Sequence, residues 1–286
     1  MRPTDFHAEQ HVPLISVPET DATSVDLRRV TAELLDVGWV YLDAALERTD
    51  LAWSLAQAIV DNATRSDASG AGMPALQIVG RFTLPPPGAE CRDFQAMHLD
   101  FGLPIASNAP TDVVRFTALH IEAGHAPTTA GTRIVALGAL LTQRRWDGPE
   151  RLVDRLRRYA RAGFVEVEGI LGRLIEVADG TPALPPPGGD LLCGMEFESL
   201  AEERHHFAER GLDLDAAEHV VALRPGGLLV FDNLATAHGR LGRRQPLELQ
   251  QLCLGYRKLD PRHQADLLAR VMAQFTGTPA TAEYQP

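Results

Sequence analysis

Short apolar stretches, each bounded by proline, glycine or asparagine, dominate two parts of the chain and constrain its fold more than any other feature. Between positions 76 and 142 they read ALQIVGRFTL, FQAMHLDF, DVVRFTALHIEA and GTRIVALGALL. After position 212 come HVVALRPGGLLVFDN and LELQQLCLGYRKL. We expect several of the first four to pair in one sheet. The segment HVVALRPGGLLVFDN predicts a hairpin that turns at Pro225, Gly226 and Gly227.

Helical spacing of apolar residues occurs before, between and after these strands. It predicts one helix over 24–36, which Gly38 ends, and a second over 47–61. In SLAEERHHFAERG, Ser199 and Glu202 form a capping-box pattern at the start of another helix. The order of strands, helices and strands predicts an antiparallel sheet system with helices packed outside it.

The 286 residues are predicted to form a single domain, because their composition is that of an ordinary globular protein with one sizeable core. Its parts are an N-terminal lobe at about 1–75, a β core at about 76–145 and 212–260, a helical insertion at about 146–211 and a C-terminal helix at 261–276. Two loops rich in glycine and proline, DASGAGMP and TPALPPPGGD, are candidate lids over a site.

Charge and cysteine content limit the partners and the compartment. The formal net charge of −11 comes from 38 acidic and 27 basic residues, which argues against a groove that neutralises nucleic-acid phosphates. Cys91, Cys193 and Cys253 are widely spaced and form no CxxC pair, which fits ordinary thiols in a reducing compartment. With no signal-like or membrane-spanning apolar run, we expect a cytoplasmic protein with a small-molecule substrate. Its oligomeric state cannot be predicted.

A histidine and an aspartate one residue apart stand out in MHLDFG. In an extended strand, residues i and i+2 point to the same face, so His98 and Asp100 are expected to converge. An imidazole and a carboxylate together suit a divalent first-row metal, and one more histidine would complete a facial triad. His238, which follows the apolar strand LLVF and a loop, is the candidate third ligand.

Each of these residues has a simpler interpretation. A lone His-x-Asp pair is usually a hydrogen-bonded surface couple or a helix cap, and His238 could be a loop histidine bound to Asp232. His205 and His206 lie on a charged helix, where exposure to solvent is expected. The joint arrangement favours the metal site, since one motif closes an early strand and the other closes a late strand.

MHLDFG, the TTAGTR segment and VFDNLATAHGR together resemble the iron(II)- and 2-oxoglutarate-dependent oxygenases of the taurine dioxygenase and clavaminate synthase type, over about residues 26–260. The resemblance implies a double-stranded β-helix core, a cupin-like jelly-roll, with flanking helices and a helical insertion. It makes His98, Asp100 and His238 the metal ligands. It also gives Thr132 a contact with the cosubstrate, although Thr132 is equally well an ordinary strand threonine.

The chain departs from the family pattern at one position. In the family, an arginine on the strand after the HGR motif binds the far carboxylate of 2-oxoglutarate. The aligned position here is Gln250 or Gln251, and neither carries a charge. Arg257 shares a strand face with Gln251 by the two-residue period and is the first candidate to substitute, and Arg244 is the second. The simpler interpretation is that Arg257 forms a surface ion pair and that the GRLGRR arginines lie in a solvated turn.

The resemblance implies a non-haem iron dioxygenase that uses Fe(II), 2-oxoglutarate and O₂ to hydroxylate an unactivated C–H bond. The expected substrate is a small polar metabolite, such as a free amino acid or a natural-product intermediate. Desaturation, epoxidation or cyclisation by the same oxidant is one alternative, and no residue discriminates them. A non-catalytic β-sheet protein that has lost cosubstrate binding is the other, and only the missing strand arginine favours it.

Overall fold

The computed structural model describes residues 14–16, 25–43, 45–66, 72–85, 93–100, 110–124, 130–136, 197–209, 212–245, 248–260, 263 and 267. Two predicted segments lie mostly outside these residues: the helical insertion at 146–211, of which 197–209 are described, and the C-terminal helix at 261–276, of which 263 and 267 are described. Cys91 and Cys193 also lie outside them. The loop TPALPPPGGD and most of DASGAGMP also lie outside them.

Within the described residues, ten strands form two sheets. The six-stranded sheet has the order β1-β2-β8-β5-β10-β3, and the four-stranded sheet has the order β4-β9-β6-β7. The pairs are antiparallel except for β1 with β2. The strands are β1 (Leu14–Ser16), β2 (Trp39–Asp43), β3 (Gln77–Leu84), β4 (Phe94–His98), β5 (Thr111–His120), β6 (Gly131–Ala136), β7 (Glu218–Val221), β8 (Leu228–Asp232), β9 (Thr236–Leu241) and β10 (Leu249–Leu259).

Four helices accompany the sheets in the described part of the chain. They are α1 (Leu27–Val37), α2 (Thr49–Ser66), α3 (Leu200–Glu209) and α4 (Leu214–Ala217). The predicted first helix is confirmed: the Asp26 side chain accepts hydrogen bonds at its N-terminus, and Gly38 ends it with a φ of 89°. One half of the predicted capping box of α3 is confirmed, since the backbone N–H of Glu202 donates to the Ser199 hydroxyl at 3.2 Å. The Glu202 carboxylate accepts from the N–H of Glu198 at 2.8 Å.

Two apolar layers hold these elements together. Helices α1 and α2 pack on one face of the six-stranded sheet through buried residues such as Leu34, Ile59 and Leu252. A second cluster combines side chains of the six-stranded sheet with Ile134 and Val221 of the four-stranded sheet. The two sheets therefore face each other across a common apolar layer, with helices outside, as the order of the elements predicts.

The predicted hairpin over HVVALRPGGLLVFDN is wrong. The tight turn exists, because Gly226 has a φ of 83° and the N–H of Gly227 donates to the carbonyl of Arg224 at 2.8 Å. The strands on its two sides belong to different sheets, however, since β7 pairs with β6 and β8 pairs with β2 and β5. Likewise, β3 and β5 share one sheet, whereas β4 and β6 lie in the other. Apolar alternation identifies strands but does not say which strand each one pairs with.

Cys253 is buried and forms no disulfide, as expected of an ordinary thiol. No helix in the described part of the chain is both long and apolar enough to span a bilayer.

Candidate metal centre

Two neighbouring strands of the four-stranded sheet bring the candidate histidines together. His98 ends β4 and lies opposite His238 of β9 in the antiparallel register. Their ring centroids are 4.3 Å apart. His238 therefore lies within a strand, which argues against the simpler interpretation of a loop histidine. Strand pairing fixes both imidazoles without help from a loop.

Asp100 lies beyond the last residue of β4, so strand parity alone does not place it. Asn233, in the turn between β8 and β9, fixes its backbone instead. The Asn233 side chain accepts from the N–H of Asp100 at 2.8 Å and donates to its carbonyl at 3.0 Å. It also donates to the carbonyl of Val114 at 3.2 Å, which links the segment to β5. Sequence analysis missed this residue, since an asparagine after a strand indicates only a turn.

The structure brings the three predicted ligands together. One ligand atom from each of His98, Asp100 and His238 lies within 4.8 Å of the other two. His238 Nε2 is 3.6 Å from Asp100 Oδ1. His98 Nδ1 bonds to the carbonyl of Ala96 at 2.9 Å, which fixes the ring and leaves Nε2 facing away from that bond. Two imidazoles and one carboxylate form a donor set that fits a divalent first-row metal.

The protonation states of this cluster also suit a metal. Burial and the neighbouring His238 lower the pKa of His98 to about 4. Burial alone would raise the pKa of Asp100, but His238, His98 and the Thr117 hydroxyl together lower it to about 2. At neutral pH, His98 is therefore neutral and Asp100 ionised, which are the forms that bind metal ions.

The second oxygen of Asp100 is held by two donors from the six-stranded sheet. The Thr117 hydroxyl and the Gln251 amide each donate to Asp100 Oδ2 at 2.7 Å. Thr117 lies on β5 and Gln251 on β10, so the two sheets meet at this carboxylate. Gln251 thus lies in the site. Its contact is with a predicted metal ligand, whereas the aligned family residue binds the cosubstrate. Thr117 has no distinctive sequence signal, because a threonine inside a strand is common.

A cavity of about 320 Å³ opens beside the cluster. Its lining combines the three candidate ligands with both polar and apolar side chains. The lining residues are Leu84, Pro85, Gln95, His98, Asp100, Leu119, Thr132, His238, Gly239, Arg240, Arg244, Leu249 and Gln251.

Arg244 brings a buried positive charge to this cavity. Its relative exposure is 6%, and its Nη2 donates to the Thr132 hydroxyl at 2.6 Å. Thr132 is also buried and lies on β6. The two predicted cosubstrate residues therefore meet at one point of the cavity wall, where they can bind an anion.

Arg257 does not reach the cavity. Its side chain is 51% exposed, and it donates to the carbonyl of Ile78 at 2.8 Å. The parity argument from Gln251 to Arg257 is wrong, because β10 has one more residue than β5 between Tyr256 and Leu259, and Lys258 within this irregularity has a φ of 49°. Residues in such an irregularity do not keep the alternation of faces that the argument assumes. The structure therefore places Arg244, not Arg257, beside the predicted ligands.

The contacts of Asp232 and of the GRLGRR arginines test the simpler interpretations of these residues. Asp232 does not bind His238; it forms a buried ion pair with Arg115, whose Nε donates at 2.8 Å. In the GRLGRR turn, Arg243 is exposed and pairs with Asp93, whereas Arg244 is buried.

Of the two helix histidines, only one is exposed as predicted. His205 lies at the surface and pairs with Glu209. His206 is half-buried, with its ring centroid 5.1 Å from that of Phe197, so its predicted exposure is wrong.

No family model and no curated protein matches the chain. The solved structures that the chain resembles include PvcB from Pseudomonas aeruginosa, at 15% identity over 84% of each chain with a TM-score of 0.44. A second structure of PvcB, described as an Fe, alpha-ketoglutarate dependent oxygenase from an isonitrile synthetic pathway, is 17% identical over 84% of each chain, with a TM-score of 0.43. A taurine dioxygenase from Burkholderia xenovorans is 14% identical over 91% of this chain and 96% of that chain, with a TM-score of 0.41.

AAD-2, solved with Mn(II) and N-oxalylglycine, is 13% identical over 87% of this chain and 96% of that chain, with a TM-score of 0.42. These are distant likenesses, and they carry no argument about what this chain does. The function is therefore inferred from the residues of the site.

Proposed function

We propose that this protein is an iron(II)- and 2-oxoglutarate-dependent oxygenase that hydroxylates an unactivated C–H bond of a small polar metabolite. The observation that carries the proposal is the cluster of His98, Asp100 and His238, with ligand atoms within 4.8 Å of one another at the wall of a cavity. A facial set of two imidazoles and one carboxylate leaves positions on the opposite side of a metal for other ligands.

His98, Asp100 and His238 would hold Fe(II) in this function. Bound iron would supply the oxidation of the substrate by O₂, coupled to the conversion of 2-oxoglutarate to succinate and CO₂. The protein itself fixes the ligand geometry through the β4–β9 pairing and through Asn233. Leu84, Leu119 and Leu249 contribute apolar side chains to the cavity wall.

Arg244 and Thr132 would bind the far carboxylate of 2-oxoglutarate. A carboxylate buried without a cation costs several kcal/mol, and Arg244 is the buried arginine that lines the cavity with the cluster. Its guanidinium can donate two parallel hydrogen bonds, and the Thr132 hydroxyl can donate a third. Arginine binding from the turn after β9 would replace the strand arginine of the family pattern.

The fold that we propose is a jelly-roll, or double-stranded β-helix, with the predicted helical insertion between its halves. Two facing sheets with helices outside support this topology, and the site lies where residues of both sheets meet. For the substrate, Gln95 and Arg240, the polar lining residues that the metal, the cosubstrate and Asp100 do not use, support a small polar molecule. A free amino acid or a natural-product intermediate fits that class.

The test is 2-oxoglutarate turnover by purified protein loaded with Fe(II) in the presence of O₂. We expect succinate to form, and its rate to rise when one member of a panel of free amino acids and related metabolites is the substrate. His205→Ala, which changes an exposed helix histidine, should behave as the unchanged protein, whereas His238→Ala should form almost no succinate. Iron-loaded protein that forms no succinate under any of these conditions would contradict the proposal.

A further inference from the structure

The carboxylate of Asp100 has two oxygens in different surroundings. Oδ1 faces the histidines, 3.6 Å from Nε2 of His238. Oδ2 accepts one hydrogen bond from the Thr117 hydroxyl and one from the Gln251 amide, each at 2.7 Å. A carboxylate oxygen has about two acceptor positions, so these two donors occupy those of Oδ2.

Both donors are firmly placed. Thr117 and Gln251 are buried, and they lie on the adjacent strands β5 and β10. The backbone of Asp100 is fixed from a third direction by the Asn233 side chain. The carboxylate therefore has neither the freedom to rotate nor a spare acceptor position on its second oxygen.

We propose that Gln251 and Thr117 are positioning residues that restrict Asp100 to one-oxygen coordination of the metal. A carboxylate can bind a metal through one oxygen or through two, and the second mode would occupy an additional coordination position. Holding Oδ2 in two hydrogen bonds keeps that position open for the cosubstrate and O₂. This inference rests on the proposed metal centre. The neutral amide of Gln251 holds Asp100 without a charge, whereas an arginine at the same position would form an ion pair with it.

The neighbouring Gln250 provides a matched control on the same strand. Its side chain accepts a hydrogen bond from the Thr83 hydroxyl at 3.0 Å, away from Asp100. Gln250→Met and Gln251→Met remove the same amide from adjacent positions and keep a similar side-chain length. A difference between the two variants therefore reports the contact with Asp100.

The experiment is an anaerobic titration of each full-length protein with Co(II), whose visible absorption depends on coordination number. For Gln251→Met we expect the Kd for Co(II) to rise about 10-fold or more, as is typical when a partner of a ligand is removed, together with a changed absorption spectrum. Gln250→Met should keep the Kd and the absorption spectrum of the unchanged protein. Thr117→Val should resemble Gln251→Met, whereas Thr117→Ser, which retains the hydroxyl, should restore the original spectrum.

The outcomes separate this inference from the proposed function. If the unchanged protein binds no Co(II), the metal centre itself is wrong. If it binds Co(II) but Gln251→Met and Thr117→Val keep its spectrum, the positioning role is overturned, whatever happens to the Kd. Thermal unfolding of the metal-free proteins identifies a variant that does not fold. If Gln251→Met does not fold, the comparison of Thr117→Val with Thr117→Ser alone tests the positioning role.

Discussion

At the scale of single residues, burial separates the two arginines that were candidates for the same role. Arg244 is almost completely buried and donates to Thr132 in the cavity wall, whereas Arg257 is half-exposed and binds backbone carbonyls of β3. A guanidinium that serves a buried carboxylate must lie where water cannot compete with it. The contacts of these residues thus favour Arg244 over Arg257 for the proposed anion site.

We therefore expect Arg244→Ala to raise the KM for 2-oxoglutarate by at least about 30-fold, which corresponds to about 2 kcal/mol, the lower range for removing one partner of a buried charge pair. Arg244→Lys should give an intermediate value, because a lysine keeps the charge but not the planar pair of donors. Steady-state kinetics of succinate formation would measure both.

Arg257→Ala is the control for this comparison, since it removes an arginine that lies outside the cavity. Its KM for 2-oxoglutarate should equal that of the unchanged protein. Equal KM values for Arg244→Ala and Arg257→Ala would show that Arg244 does not bind the cosubstrate.

At the scale of secondary structure, the close approach of β4 and β9 holds the two histidines. A Cβ atom added to Gly239, the residue after His238, would lie 2.7 Å from the carbonyl oxygen of Gln95 and 3.1 Å from that of Ala96. Both contacts are with backbone, which cannot move without displacing β4. The glycine of the HGR motif therefore permits the spacing that brings His98 to His238.

Replacing Gly239 by alanine should separate these strands. We expect Gly239→Ala to lower the free energy of unfolding by about 1–3 kcal/mol, as overpacking commonly does, and to weaken metal binding. Gly124→Ala is the control, because a Cβ atom at Gly124 would meet nothing within 4 Å. Denaturant unfolding and a metal titration would measure the two effects, and a Gly239→Ala protein with the metal affinity of Gly124→Ala would refute this explanation.

The sequence predicts the elements better than their pairing. The end of α1, the start of α3 and the positions of the strands follow from local signals, such as Gly38, Ser199 and alternating apolar residues. Pairing depends on residues far away in the chain, so the segment around Gly226 was predicted as a hairpin although it connects two sheets. The register shift in β10 is equally invisible in the sequence, and it moved Arg257 away from the predicted face.

The cluster of the three proposed metal ligands was predictable, whereas the residues that support it were not. His98, Asp100 and His238 belong to motifs with recognisable contexts. Asn233 and Thr117 act through hydrogen bonds to Asp100, from which both are distant in sequence, and such contacts leave no local pattern.

At the scale of the whole molecule, buried charges connect the helical part of the chain to the candidate metal centre. Arg133 of β6 forms buried ion pairs with Glu203 of α3 and with Glu218 of β7. Glu203 also accepts a hydrogen bond from the N–H of Met97, the residue before His98, at 2.7 Å. Burial raises the pKa of Glu203, an effect that Arg133 partly offsets. Helix α3 is thereby tied to the strand that carries the first predicted ligand.

The candidate centre depends on both sheets and on segments from distant parts of the chain. Residues near position 100 supply two ligands, β9 supplies the third, and β5 and β10 supply the donors to Asp100. The central claim is that these segments together form one iron site that also binds 2-oxoglutarate. Removing any single ligand should then cost most of the bound metal, because a site with three protein ligands cannot spare one.

The most direct test is anaerobic addition of Fe(II) and 2-oxoglutarate to the unchanged protein and to His98→Ala, Asp100→Ala and His238→Ala, with iron stoichiometry and the visible spectrum as readouts. We predict about one iron per chain and a weak visible charge-transfer band for the unchanged protein, and loss of most of the iron and of the band in each variant. Full iron stoichiometry together with the band in any two of the three variants would contradict the assignment of the three ligands.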